Sequence, residues 1–379
     1  MKILFVSPSY KPAYVYGGPA VSVSELAEAL VAAGNTVTVY TTTANGKEEL
    51  GVQPGVPLNV NGVTVYYFKR QTGDHTHVSF GLWKKLWINA SVYDVIHLQS
   101  WWSILIIVAA AICRAKRCTY FISPRGMLSS YSFNNQHNLP KKLIHRTVGT
   151  YLLKHSLLHA TATQEWNDCL RLNNPWQGFI LPNLVRFPEA LYAENAVKEG
   201  KGTLVFGFLS RIDHKKGIEL LMEALSKVTF NYQLRIAGSG DDAYLSSLKS
   251  MTVELGIDTK VEWCGWKKGE EKFQFLQTID VFVLTSHNEN FANTVIESLV
   301  MGTPVYLSEE VGLADYVKKN NLGWVCDVNV SSITKGLNQI FSEQHKIDSI
   351  NRLAPCLIKK DFDKTQLAVQ YGAAYKKFI

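Results

Sequence analysis

The stretch VFVLTSHNENFANTVIESLV, Val281–Val300, decides how the chain is read. Its opening residues, Val281–Thr285, form a continuous apolar run, the pattern of a strand buried on both faces. Polar residues follow, and from Thr294 to Val300 apolar side chains recur at helical spacing. Strand, short loop and helix in that order make half of a βαβ unit. Glu289 lies on the loop and Glu297 about a turn into the helix, eight positions apart. Backbone N–H groups at the start of such a helix suit a diphosphate. A carboxylate on either side can accept hydrogen bonds from the hydroxyls of a sugar and of a ribose. A plainer reading has both acids merely complementing the helix dipole.

Upstream lies a second loop of the same kind, SRIDHKKG (Ser210–Gly217), between a strand at Leu204–Leu209 and a helix at Gly217–Val228. Arg211 offers a planar fork and Lys216 a compact charge, which together answer a diphosphate. A solvated basic loop is the bland alternative. Gln233–Ala237, Val261–Trp263 and Pro304–Leu307 read as further strands, with helices at Ala243–Leu255 and Lys268–Thr278. Before Leu181–Gly202, a linker with Pro182 and Pro188, the alternation runs through strands at Lys2–Val6, Thr36–Thr41, Val63–Phe68, Val95–Leu98 and Cys118–Ser123. The reading is α/β: two Rossmann-like, doubly wound domains facing across a cleft. Their expected bounds are 1–189 and 190–361, with a helix at about 362–379 packing back on the first.

At 379 residues, 46% hydrophobic and 19% charged, the chain is long enough for two cores and too apolar for disorder. The net charge of +7 is uneven. Residues 1–190 hold 17 Lys and Arg against 9 Asp and Glu, whereas the remainder is close to neutral. A basic half concentrates anionic partners, but without a basic block or a recognisable motif nucleic acid is not expected. Six Cys without a CxxC pair fit a reducing compartment. MKILFVSPSY has no signal-peptide cleavage pattern. Ser103–Cys113, the most apolar segment, reads as a buried helix, too short for the ~20 residues a bilayer crossing needs. The expected setting is therefore cytoplasmic, without a transmembrane helix. Leu139–His159 carries Lys141, Lys142, His145, Arg146, Lys154 and His155 among apolar residues. As a basic amphipathic helix it either lies on an anionic membrane surface or is an ordinary surface helix.

Taken together, these motifs resemble the retaining glycosyltransferases of family 4, which have the GT-B fold. The resemblance runs through the whole chain and is more specific in its second half. It implies a transferase moving a sugar from a UDP- or GDP-linked donor to a glycan acceptor, with no metal and no other cofactor. Glu289 would hold donor-sugar hydroxyls and Glu297 the ribose. Asn290, Phe291, Ala292, Asn293 and Thr294 would present backbone amides, and Arg211 and Lys216 would bind the diphosphate. Gly265, Trp266 and Lys267 would receive the base, and Gly18 fits a glycine loop that closes near the phosphates. His97 matches a family histidine at a strand end and would lie on the acceptor or sugar side, though a lone histidine there is as often a satisfied structural residue; Arg125, in Ser123-Pro-Arg125-Gly, stands where many members have a His that meets the sugar. That last motif resembles O-antigen and exopolysaccharide enzymes, so a lipid-linked acceptor is implied. Ala292 departs from a family glycine and fits the usual backbone regions only with φ below zero. A nucleotide-sugar epimerase of the same fold and a non-catalytic sugar-nucleotide-binding subunit are the alternatives.

Two other patterns compete. Gly238-Ser-Gly240-Asp-Asp-Ala243 fits the dinucleotide fingerprint, though a strand–helix turn explains it better in mid-domain. Asp361-Phe-Asp363 has the spacing of a metal-binding acidic pair, but two carboxylates alone do not make a metal site.

Overall fold

The computed structural model describes residues 1–74, 76–134, 143–188 and 202–379. They fall into two compact units, Met1–Val185 with Phe362–Ile379, and Arg186–Asp361.

The first unit contains β1 (Lys2–Val6), β2 (Thr36–Thr42), β3 (Pro57–Val60), β4 (Val63–Phe68), β5 (Val95–Gln99), β6 (Tyr120–Ser123), β7 (Leu157–Ala160) and β8 (Gly178–Ile180). They form one sheet in the order β8-β7-β6-β5-β1-β2-β4-β3. Every pairing is parallel except β3 with β4. Ile3, Leu4, Phe5 and Val6 are fully buried, as a central strand covered on both faces requires. The crossovers include α1 (Gly18–Ala32), α2 (Phe80–Asn89) and α3 (Ile104–Ala115). The strand order reverses between β1 and β5, so the loops after them flank a topological switch point. The apolar segment read as a buried helix is α3, but Ile104 on it is exposed.

The C-terminal helix, Lys364–Lys376, belongs to this unit and reaches it through polar contacts in its core. Lys364 pairs with Glu25 of α1. Tyr375 and Tyr371, one turn apart, are both buried against two strand histidines. His97 shares Nδ1 with the Tyr375 hydroxyl at 2.7 Å and Nε2 with the Ser123 hydroxyl at 2.6 Å. Ser123 also meets His159 Nδ1 at 2.5 Å, and His159 Nε2 lies 2.8 Å from the Tyr371 hydroxyl. The expectation that His97 faces a sugar is therefore corrected: it is fully buried and both ring nitrogens are engaged. A polar group so deep must be paired, since leaving it unmatched costs ~1–3 kcal/mol.

Burial, reinforced by the Arg125 charge, pushes His159 down to about 3, and burial holds His97 well below the usual histidine range. Both fold neutral and would bind a proton near pH 6.5 when unfolded. Their contribution to stability is complete above that pH and is lost as pH falls toward the folded values. Between pH 6.5 and 5.5 the pair should cost about 2 kcal/mol, ~1 kcal/mol per histidine, because the unfolded rings are only half protonated at the start of that interval. Urea melts across that interval check this. A flat profile would show that the two rings do not stay neutral and buried.

Only part of the expected helix at 139–159 falls where it was read. Residues 139–142, with Lys141 and Lys142, lie outside the described residues. The helical turns cover His145–Gly149 and Thr150–Lys154. His159 is instead a buried residue of β7, because its polar partners lie on Ser123 and the C-terminal helix.

The second unit contains β9 (Leu204–Leu209), β10 (Tyr232–Ala237), β11 (Val261–Gly265), β12 (Val281–Leu284), β13 (Val305–Ser308) and β14 (Gly323–Cys326). All pair in parallel, in the order β11-β10-β9-β12-β13-β14. Counted from β9 this is the 3-2-1-4-5-6 order of nucleotide-binding sheets, whose crevice opens where the order reverses. Here the reversal lies between β9 and β12. The two motif loops leave those strands, so the topology sets them side by side.

The competing patterns have structural explanations. A side chain at Gly238 would overlap the Ser210 carbonyl oxygen, and one at Gly240 that of Ile212. These glycines let the loop after β10 lie against the loop after β9, where Ile212 N donates to Ser239 O at 2.8 Å. Asp363 caps the C-terminal helix by accepting from Gln366 N at 2.7 Å, and Asp361 accepts from the Tyr316 hydroxyl at 2.8 Å.

Candidate functional site

The basic loop is built to hold its cations still. Asp213 accepts from Lys215 N at 3.0 Å and so caps a short turn, His214–Lys216. Gly217 then takes φ +63 and opens α4 (Ile218–Leu225). Any side chain at Gly217 would overlap the Thr285 carbonyl oxygen. Thr285 Oγ1 donates to Gly217 O at 3.0 Å, and His287 N donates to Lys215 O at 2.8 Å. The two loops are thus joined backbone to backbone.

Side chains join them as well. Lys216 is buried and its ammonium pairs with the Glu289 carboxylate. Arg211 is exposed. Lys215, not singled out from sequence, is drawn down from the usual lysine range by burial, with Lys216 and Arg211 adding to the effect and Glu289 opposing it. Three cations on one loop create a local field that favours a di-anion. The signal for Lys215 was its place in the His-Lys-Lys turn.

Glu289 is pinned through its backbone, donating from N to Glu310 O and accepting at O from Gly312 N, both at 2.8 Å. Past it, Ala292 has φ +64 and ψ +76, immediately before α7 (Asn293–Val300), which comes after α5 (Asp242–Glu254) and α6 (Glu270–Gln277). The expectation of a negative φ at Ala292 is corrected: the backbone takes the left-handed turn that glycine prefers, at a cost of ~1 kcal/mol for its methyl group. Phe291 is buried, and Asn290, Asn293 and Thr294 are partly exposed at the helix start. Glu297 is buried and pairs with Lys272 of α6, a partner 25 positions away that sequence spacing does not announce. Ser286, just past β12, has a buried hydroxyl without a hydrogen-bond partner among the described residues. Gly265 has φ +66 at the end of β11 and accepts from Gly238 N at 2.9 Å; Trp266 beyond it is half exposed and Lys267 partly so.

In the first unit, the residue whose conformation needs glycine is Gly17, at φ +69, while Gly18 begins α1. Arg125 follows β6 in a left-handed conformation, φ +56. Its Nε and Nη2 donate to Gln99 Oε1 at 3.1 and 2.8 Å, and Nη1 donates to Ser22 Oγ at 3.3 Å and to Asn183. These partners are all neutral. Burial lowers the Arg125 pKa, opposed by Tyr371, Glu165 and Tyr375, yet a guanidinium remains charged. The side chain can hold an anion or a polar substrate but cannot take a proton. Among the described residues, no group of His, Cys, Asp and Glu is arranged to hold a metal ion.

The structure therefore gathers Arg211, Lys216, Glu289 and the 290–294 turn at one switch point, with Glu297 on the adjoining helix. It sets Gly265–Lys267 on the loop after β11 of the same sheet. Gly18 and Arg125 belong to the other unit, near the start of α1.

Two family models match the chain, the glycosyl transferase 4-like domain over residues 17–182 and the glycosyl transferases group 1 over residues 193–354. An uncharacterized glycosyltransferase of Methanocaldococcus jannaschii is 29% identical over 369 residues, 90% of each chain. A lipopolysaccharide core biosynthesis glycosyltransferase of Rhizobium meliloti is 26% identical over 136 residues, covering 36% of this chain and 38% of that one. Among solved structures, HepE of Anabaena in complex with UDP-glucose superposes with a TM-score of 0.74 at 19% identity, covering both chains fully.

Proposed function

Given that the chain belongs to the group 1 glycosyltransferases of the GT-B fold, we propose that it transfers a hexose-type sugar from a nucleoside diphosphate donor to a glycan acceptor with retention of configuration. The observation that carries this reading is the Lys216–Glu289 ion pair at the switch point of the second unit. It brings a phosphate-type cation and a hydroxyl-accepting carboxylate to one place. On this reading Arg211 and Lys216 stabilise charge developing on the departing diphosphate. The amides at the start of α7 bind phosphate and sugar oxygens, and Glu289 accepts hydroxyls of the donor sugar. Glu297 turns from Lys272 toward the ribose, and Trp266 offers a face for the base.

No side chain is needed as general base if the departing diphosphate itself takes the acceptor proton on the same face. Protein cations supply the positive charge, so the proposal includes no metal. The donor is taken to be UDP- or GDP-linked, and HepE's complex with UDP-glucose favours the first. A lipid-linked precursor of O-antigen or exopolysaccharide is the proposed acceptor, on the strength of the Ser123–Gly126 motif; the Rhizobium relative's name, lipopolysaccharide core biosynthesis, supports a lipid-linked glycan only. A cytoplasmic setting would supply the nucleotide sugar.

A thermal-shift panel of UDP- and GDP-sugars against NAD tests the donor. A tight nucleotide sugar at a hundred times its Kd stabilises by ~2.7 kcal/mol. Stabilisation by NAD alone would sink the proposal. Turnover should survive EDTA; a loss restored by Mn²⁺ would remove its metal-free part. Conversion of donor without acceptor would favour an epimerase, and binding without turnover a non-catalytic subunit.

A further inference from the structure

The first unit turns a different feature outward. On α2, Phe80, Lys84, Trp87 and Ile88 share one helical face, and Phe80, Trp87 and Ile88 are 63, 50 and 65% exposed. On α3, Ile104 is exposed, and on the 143–154 segment so are Leu143, Val148 and Tyr151. The three elements that carry these side chains touch one another through α3. Trp83 Nε1 of α2 donates to Leu105 O of α3 at 3.1 Å. At the far end of α3, Lys116 lies 4.3 Å from the centre of the Trp87 ring, and Arg114 lies 5.7 Å from that of Tyr151. α3 thus sits between the other two helical segments. Large apolar side chains clustered this way on a surface signal a partner.

Charge identifies the partner. Residues 75–164 hold ten Lys and Arg and a single acid, Asp94. Asp94 is engaged by the backbone N–H of Lys2 at 2.7 Å. Lys84, Arg146 and Lys154 are exposed around the apolar patches. A second copy would present the same positive face and be repelled. Nucleic acid would match the charge but gives Ile88, Ile104 and Leu143 nothing apolar to enter. An anionic bilayer satisfies both, with headgroups for the cations and an interface where tryptophan and tyrosine settle.

We propose that α2, α3 and the 143–154 segment seat the protein on an anionic lipid bilayer. The surface is independent of the donor loops, so it stands whether or not the transferase reading does. Among the described residues no helix is long and apolar enough to cross a membrane, and the proposed attachment is interfacial and reversible.

Vesicle co-sedimentation of the full chain tests it, using phosphatidylcholine alone and phosphatidylcholine mixed with phosphatidylglycerol. Wild type should bind the mixed vesicles, with a blue shift in tryptophan emission, and release as salt rises. Lys84→Gln, Lys116→Gln and Arg146→Gln together should weaken partitioning about a hundredfold. Phe80→Ser, Trp87→Ser and Ile88→Ser together should abolish the blue shift. Phe80, Lys84, Trp87, Ile88 and Arg146 are exposed and Lys116 partly so, so both variants should stay folded and their stabilisation by UDP should match wild type. Failure of wild type to bind mixed vesicles at low salt would overturn the proposal. Equal binding to phosphatidylcholine alone, or an oligomer that the serine variant dissociates, would overturn it too. Loss of UDP stabilisation in wild type would count against the transferase reading and leave this one standing.

Discussion

If the proposed donor site is right, turnover should fall by a factor of ten or more when Lys216 is replaced by Ala, and by a similar factor when Arg211 is. Each replacement would remove the proposed charged hydrogen bond to the diphosphate, worth ~1.5–3 kcal/mol, which corresponds to about 10- to 150-fold in rate. The two should part company in stability. Lys216 is buried against Glu289, so its loss strands a carboxylate in a half-enclosed site and lowers the melting temperature. Arg211 is exposed, and its loss should leave the melting temperature unchanged. Donor turnover and thermal melts on both variants check the pair of statements. Near-normal turnover in Arg211→Ala, together with a Lys216→Ala protein that is merely unstable, would reduce the basic loop to a structural element.

A larger effect on folding is expected at Gly217. Its φ of +63 alone penalises alanine by ~1–2 kcal/mol. The added methyl also runs into the Thr285 backbone oxygen, which cannot rotate away as a side chain can. Together these should cost about 3 kcal/mol or more, a large part of the ~5–15 kcal/mol that holds a domain folded. Gly256→Ala is the matching control. It shares the left-handed backbone, at φ +64, but a side chain there meets open space, so it should lose only about 1 kcal/mol. Urea unfolding of the two variants separates overlap from backbone strain. Equal losses would mean that the loop and β12 can spread apart without penalty, and that the close joining of the two motif loops is not essential.

Much of the second unit was legible in advance because its signals are local. The apolar run at Val281–Thr285, the polar loop and the periodic residues up to Val300 announce strand, loop and helix through short-range periodicity. The same holds for the basic loop after Leu209, and for the concentration of positive charge in the first half. Loop residues such as Arg211, Lys216 and Glu289 could be nominated because strand ends in parallel sheets carry ligands.

What the sequence could not decide depends on which distant segments meet. Strand order alone puts β9 beside β12, and so brings Lys216 to Glu289 across 73 positions. His97 looked like a site residue because a polar side chain at a strand end reads the same whether it meets solvent or core. Only the C-terminal helix, delivering Tyr375 from 278 positions away, shows that it meets the core. Gly238 and Gly240 resemble a cofactor fingerprint until the neighbouring loop is in place to need their missing side chains. The outward faces of α2 and α3 were hidden likewise, since apolar periodicity marks a helix's greasy side without saying what covers it. Periodicity and turn chemistry act within a few residues of chain, whereas burial, register and ion pairing are properties of the packed whole.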